Sequence, residues 1–197
     1  MSKTEIEQIL SSVFKKSFGI IDVDYRKLSE VSTYFQYPKN TILRDAFKKE
    51  MNLGYIIEGS TGNFVYKKDK RICVDLCYEN SFFGDYSSLL TGKISPLEIQ
   101  SLETITYISI PFTKLVEAYE SPIVSEKIGR IAAEQLYILK NQQLIDLQTL
   151  SAEERYLKLL EIQPKVLQRT QSKYIASFLG ITPESFSRIR KKILKSH

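Results

Sequence analysis

The stretch SKYIASFLGITPESFSRIRK, Ser172 to Lys191, decides how this chain is read. Two helices that cross at a tight turn need a small residue where they approach, a glycine at the turn, apolar residues facing their shared core, and a cap for the second helix. Ala176 supplies the small residue and Gly180 falls at the turn. Ile175, Leu179, Ile181, Phe186 and Ile189 take the core-facing positions, and Thr182 caps a second helix that Pro183 begins. A helix-turn-helix is therefore predicted.

An ordinary helical hairpin would need those same residues, but it would not need the charge beside them. From Lys165 onward there are eight basic residues against a single acid, Glu184, giving +7 locally in a chain whose total is +5. The rest of the chain is mildly acidic. Such asymmetry points to a polyanion docking at one end. The predicted second helix turns Glu184, Ser185, Ser187, Arg188 and Lys191 to solvent. Where such a helix enters the major groove of DNA, its N-terminal residues meet base edges. Arg188 suits a guanine edge, Glu184 can accept from a cytosine amino group, and Ser185 can touch base or phosphate. Thr182 and Pro183 open the helix at the groove, while Arg190, Lys191 and Lys192 suit phosphates that hold register.

Upstream of this unit, Ser151 and Glu154 form a capping box that opens a helix carrying Tyr156, Leu157, Leu159, Leu160 and Ile162, and Pro164 ends it. Before that, Ser121 and Pro122 mark the start of a long helix running to about Gln148. Val124, Ile131, Ile138 and Ile145 recur in it every seventh residue, a spacing that suits a parallel two-stranded coiled coil and hence a homodimer. Ile128, Ala132, Leu136 and Leu139 form a second stripe, available for packing on the chain's own body. Gln135 and Gln142 interrupt the second seam.

From Tyr37 to Ile110 the pattern changes to short β-rich runs separated by turn residues such as Tyr37 to Asn40, Glu58 to Gly62 and Thr91 to Lys93. Strands at this spacing predict an antiparallel roll or barrel. Amphipathic helices are expected over Thr4 to Phe14 and after Asp22 or Asp24, with Leu28 and Val31 inward. The fold class is α+β, in three parts: a sensor-like β-roll with flanking helices (1–120), a long connecting helix (121–150) and a basic helix-turn-helix domain (151–197).

Several function classes are disfavoured. No apolar run reaches the length of a signal core or a membrane span and the N-terminus is polar, so a soluble, cytoplasmic protein without a membrane partner is expected. Ile72, Val74 and Leu76 alternate as the apolar face of a strand, which places Cys73, Cys77 and Asp75 together on its other face. The two cysteines lie roughly 13 Å apart there, too far for a disulfide or one shared metal. They read as reduced structural thiols, and they cannot supply the four ligands of an iron-sulfur cluster. The one histidine, His197, is the terminal residue and is expected to be disordered, which argues against haem or a histidine-built metal site. No metal and no cofactor are expected. An enzyme or small-molecule binder built on the roll is the alternative from another class, but the chain has no triad histidine, no phosphate loop and no nucleophile elbow.

The runs YPKNTIL (37–43), GYIIEG (54–59), SFFGDYSSLL (81–90) and IASFLGITPESFSRIRKK (175–192) resemble the Crp/Fnr family of bacterial transcription regulators over nearly the whole chain. The resemblance implies a cyclic-nucleotide-binding-type roll, a dimer seam in the long helix, and Glu184, Ser185 and Arg188 as base readers at an inverted-repeat site. RNA polymerase becomes an expected partner. It also points to an effector pocket at Gly84, Asp85, Tyr86, Ser95 and Pro96, since Gly84 and Asp85 stand where the family's ribose-holding pair lies. The position of the phosphate-gripping Arg-Ser or Arg-Thr pair is taken here by Ser95 and Pro96, and no arginine lies between Ile72 and Tyr119. The charge-assisted grip on a cyclic phosphate is thus expected to be missing. The effector is some other small molecule, or none exists and DNA is bound constitutively. The family's wing strands are not expected after the recognition helix, because the sequence ends at His197.

Overall fold

The structure, a computed structural model, describes residues 1–19, 23–68, 70–118 and 122–195. Two four-stranded antiparallel sheets form the body. One has the order β1 (Thr33–Tyr37), β8 (Ile105–Pro111), β3 (Asn52–Glu58), β6 (Phe82–Phe83); the other β2 (Ile42–Arg44), β7 (Glu98–Ser101), β4 (Thr61–Lys67), β5 (Lys70–Cys77). The α+β class and the roll are as expected. Alternation in β8 shows how the body is filled. Ile105 and Tyr107 join Ile56, Phe83 and Ile99 between the sheets, while Ile108 and Ile110 face outward under two helices.

Those helices are α1 (Lys3–Phe18) and α2 (Tyr25–Val31). Ser2 and Glu5 make a capping box at the start of α1, and Ile6, Leu10 and Phe14, four residues apart, bury its inner stripe. The helix outruns its expected end at Phe14 because Phe18 packs against Phe14 and Phe82. Asp24, not Asp22, caps α2: its carboxylate accepts from the Lys27 N–H at 2.8 Å. Short helices α3 (Tyr86–Thr91) and α4 (Phe112–Glu117) follow β6 and β8.

The long helix α5 (Pro122–Thr149) leads to α6 (Ala152–Ile162), α7 (Val166–Arg169), α8 (Ser172–Phe178) and α9 (Pro183–Lys195). The Ser151–Glu154 capping box is present, and α6 stops at Ile162, ahead of Pro164. Tyr156, Leu159, Val166, Ile175, Ala176, Leu179 and Phe186 are buried together as the core of this last unit. Full burial of each large side chain among them contributes about 1.5–3 kcal/mol.

One sequence expectation is overturned in β5. Asn63 on β4 opposes Asp75, whereas the next residue, Phe64, opposes Cys73, so Val74 is an extra residue inserted in β5. This bulge reverses the alternation. Cys73 shares a face with Phe64, opposite to the face of Asp75 and Cys77, and Val74 is exposed instead of buried. The Cys73 thiol is buried, which pushes its pKa up to about 12.

Candidate nucleic-acid interface and the cavity beside it

The turn between α8 and α9 is built as its residues require. Gly180 has φ +71°, in the left-handed region, and a Cβ there would lie 3.3 Å from Leu147 Cδ1. Ala176 is fully buried between the helices, and the Phe186 ring meets Tyr156 edge-on at 5.1 Å. Thr182 Oγ1 accepts from the Ser185 N–H at 3.2 Å, which is the expected cap. Arg155 ties the unit to the preceding helices, donating to the Leu179 carbonyl at 2.8 Å and to the Leu150 carbonyl.

Of the residues expected at DNA, Thr182, Pro183, Glu184, Ser187, Arg188, Lys191 and Lys192 are exposed. Glu184, Arg188 and Lys191 follow one another along a single face of α9 at four- and three-residue steps. Its own backbone N–H and the Thr182 hydroxyl hold the Glu184 carboxyl below the usual carboxylate range. Ser185 is half-buried, its hydroxyl 3.2 Å from that of Thr182. Lys192 Nζ reaches Glu153 on α6 at 2.6 Å. Arg190, expected on phosphate, is half-buried. It follows Phe186 by one helical turn, so its guanidinium lies over that ring at 5.9 Å and near Ser172.

The opposite side of this unit is docked on the roll. Tyr174, Ser177 and Phe178 of α8 rest on β5, where Phe64, Cys73 and Leu102 form a small apolar cluster, and Ser177 Oγ accepts from the Cys73 N–H at 2.8 Å. Arg169 at the end of α7 donates to both carboxylate oxygens of Glu79, at 2.8 and 2.5 Å, and to Glu103 at 3.0 Å. Burial opposes ionisation of Glu79, but Arg169 and the backbone N–H groups of Glu79 and Gly59 together outweigh that and keep its pKa below the ordinary value. Tyr78 adds a hydroxyl contact to Thr170 at 2.9 Å and a ring face beneath Arg169. Sequence reading misses this clamp because its partners stand 66 and 90 residues apart.

Between the roll, α1 and α5 lies a cavity of about 830 Å³. Its walls are largely apolar, among them Phe14, Phe82, Leu97, Leu136 and Leu139, with Asn63, Asp75, Asp85 and Lys140 as polar members. Gly84, Asp85 and Tyr86 line it; Ser95 and Pro96 do not. Ser95 is held in a bridge to Lys48 at the sheet edge and Pro96 is exposed. The Asp85 carboxylate is already engaged. One oxygen accepts from Ser88 N–H at 3.0 Å to cap α3, and the other lies 3.5 Å from Arg44. Arg44 also pairs with Glu50 and donates to the Leu97 and Lys48 carbonyls. An arginine thus does reach this place, from β2 and not from the segment between Ile72 and Tyr119.

The α5 stripe divides as the spacing suggests. Ile128 is buried against the roll, and Ala132, Leu136 and Leu139 border the cavity. Ile138 and Ile145 are 66% and 43% exposed, and Ile131 is half-buried. The side chain of Val124 lies outside the described residues, as do Ser121 and His197. Among the described residues no helix is long and apolar enough to cross a membrane.

Solved structures with this arrangement include bacterial transcription regulators. FixK2 from Bradyrhizobium japonicum superposes with a TM-score of 0.72 at 18% identity, over 84% of this chain and 86% of that one. A protein of Eubacterium rectale described as a crp/fnr-family transcriptional regulator gives 0.66 at 14%, over 87% and 82%. This is the Crp/Fnr regulator fold. The c-di-GMP responsive global regulator CLP of Xanthomonas campestris shares it, with a TM-score of 0.64 at 16% identity over 85% of this chain and 88% of that one. No family model and no curated protein matches the sequence. In Crp/Fnr terms the body is the cyclic-nucleotide-binding-type roll and α6 to α9 form the C-terminal helical domain.

Proposed function

We propose that this chain is a sequence-specific DNA-binding transcription regulator that acts in the cytoplasm as a homodimer on an inverted repeat, signalling to RNA polymerase. The observation that carries the reading is α9. It is the second helix of a closed helix-turn-helix, it leaves Glu184, Ser187, Arg188 and Lys191 on its exposed side, and it belongs to the strongly basic end of the chain. Arg188 and Glu184 would read base edges, with Lys191 and Lys192 on phosphates. The dimer is supported by Ile131, Ile138 and Ile145, a seven-residue stripe that one chain alone leaves largely uncovered. The reading requires no catalytic step.

Two measurements test it. Binding-site selection should return an inverted repeat whose half-site centres lie about one helical turn apart. Sedimentation should show a dimer that becomes monomeric when Ile131 and Ile138 are both changed to Glu. Selection without an inverted repeat, or a wild type already monomeric at micromolar concentration, removes the proposal. A regulator without ligand control is the second reading, favoured by Asp85 being already paired with Arg44.

A further inference from the structure

The cavity beside α5 has the volume of a small-molecule site and is far larger than the voids that packed interiors leave. Three charged side chains line it, Asp75, Asp85 and Lys140, and each is spoken for within the chain. Lys140 Nζ lies 2.6 Å from Asp75 and 3.0 Å from Gln143, and Asp85 faces Arg44 and caps α3. An anionic ligand would meet two carboxylates and a lysine already paired, and a cationic one would have to displace Lys140 or Arg44. Two buried acceptors on this wall have no hydrogen-bond partner among the described residues: Asp85 Oδ2, whose charge is offset by the Arg44 guanidinium 3.5 Å away, and the amide oxygen of Asn63. Asn63 is only 6% exposed. A buried acceptor left unpaired is costly, so Asn63 Oδ1 is poised for a donor that enters with a ligand.

We infer that this cavity binds an uncharged, largely apolar small molecule that donates one hydrogen bond to Asn63, and that a cyclic nucleotide is excluded. As the effector of the regulator proposed above, this ligand rests on that reading; as a ligand of the cavity it does not. The site is distinct from the dimer stripe. At about 100° per residue, Ala132, Leu136 and Leu139 centre roughly a third of a turn from Ile131, Ile138 and Ile145. A second copy seated on the stripe would border the cavity mouth without filling it.

The test uses the full chain and N-phenyl-1-naphthylamine, an uncharged apolar fluorophore with a single N–H. Saturable binding at one probe per chain is expected, with blue-shifted emission. Ala132→Phe, which fills the cavity wall, should weaken it at least about tenfold, whereas Ile138→Glu on the stripe should leave it unchanged. The wild type should prefer the probe to its N-methyl analogue, which lacks the donor, by about three- to tenfold, and Asn63→Leu should abolish that preference. Because the chain has no tryptophan, Leu90→Trp at the exposed cavity rim gives an independent readout, its emission quenched as the probe binds. Millimolar cyclic AMP should displace nothing. Absent saturable binding, binding that survives Ala132→Phe but not Ile138→Glu, or displacement by cyclic AMP would each overturn the inference. Probe binding in a chain that selects no DNA would keep the inference and remove the regulator reading; specific DNA binding without probe binding would do the reverse.

Discussion

Arg188 and Lys192 carry the same charge on the same helix, yet their surroundings assign them different work. Arg188 is exposed one turn beyond Glu184, on the face expected at base edges, while Lys192 lies a further turn along, beside Glu153. Arg188→Ala should cost about 1–3 kcal/mol at the selected site and relax preference at one base pair per half-site. Lys192→Ala should weaken binding to every sequence alike and lower the salt slope by about one unit for each phosphate left without its lysine. Titrations of matched and mismatched sites at several salt concentrations separate the two. An Arg188→Ala variant with unchanged preference would show that α9 does not read bases. Gly180 makes a second expectation. With φ at +71° and Leu147 already close, Gly180→Ala should lower stability by about 1–2 kcal/mol, measured as a drop in urea midpoint at constant m-value.

Arg169 links two elements that sequence keeps far apart, α7 and the turn after β5. Removing it leaves Glu79 and Glu103 facing each other without their shared cation in a partly buried place. Arg169→Ala should therefore destabilise the docking of the helical domain by about 1–3 kcal/mol. Limited proteolysis near Leu150, where α5 passes to α6, should accelerate in the variant while the roll stays intact; an unchanged cleavage rate would mean that the α8–β5 contact suffices alone. The same contrast separates what is legible in the sequence from what is not. The helix-turn-helix and its capping box are readable because Ala176, Gly180, Thr182 and the Ser151–Glu154 pair act within a few residues of one another. The seven-residue stripe on α5 is readable for the same reason. The Arg44–Asp85 pair and the Arg169 clamp are not, since they depend on strands brought together by pairing order. Nor is the face carrying Cys73, because nothing local to the alternation of Ile72, Val74 and Leu76 reveals the extra residue.

For the whole molecule, the clamp makes the docking of its two ends sensitive to acid. Glu79 is held below the ordinary glutamate value of 4.5, so its contribution is fully present above that pH and is lost as pH falls through the lower value it has in the folded chain. Docking should weaken below about pH 4.5 and stay constant from neutrality down to that point, followed by proteolysis or by energy transfer between labels on the roll and on α6. Loosening that begins near pH 6 would assign the effect to another group. The inserted Val74 has a consequence for how the chain finds this arrangement at all. Strand β5 is a partition: Cys73 and Leu76 look toward α8, Asp75 and Cys77 toward the cavity. A slip of one residue would push Asp75 into the apolar seat of Tyr174 and Phe178 and take the partner of Lys140 away. Mispaired forms are thereby penalised on both faces at once, and it is the surplus valine that lets Cys73 and Leu76, three residues apart, share the side that seats α8.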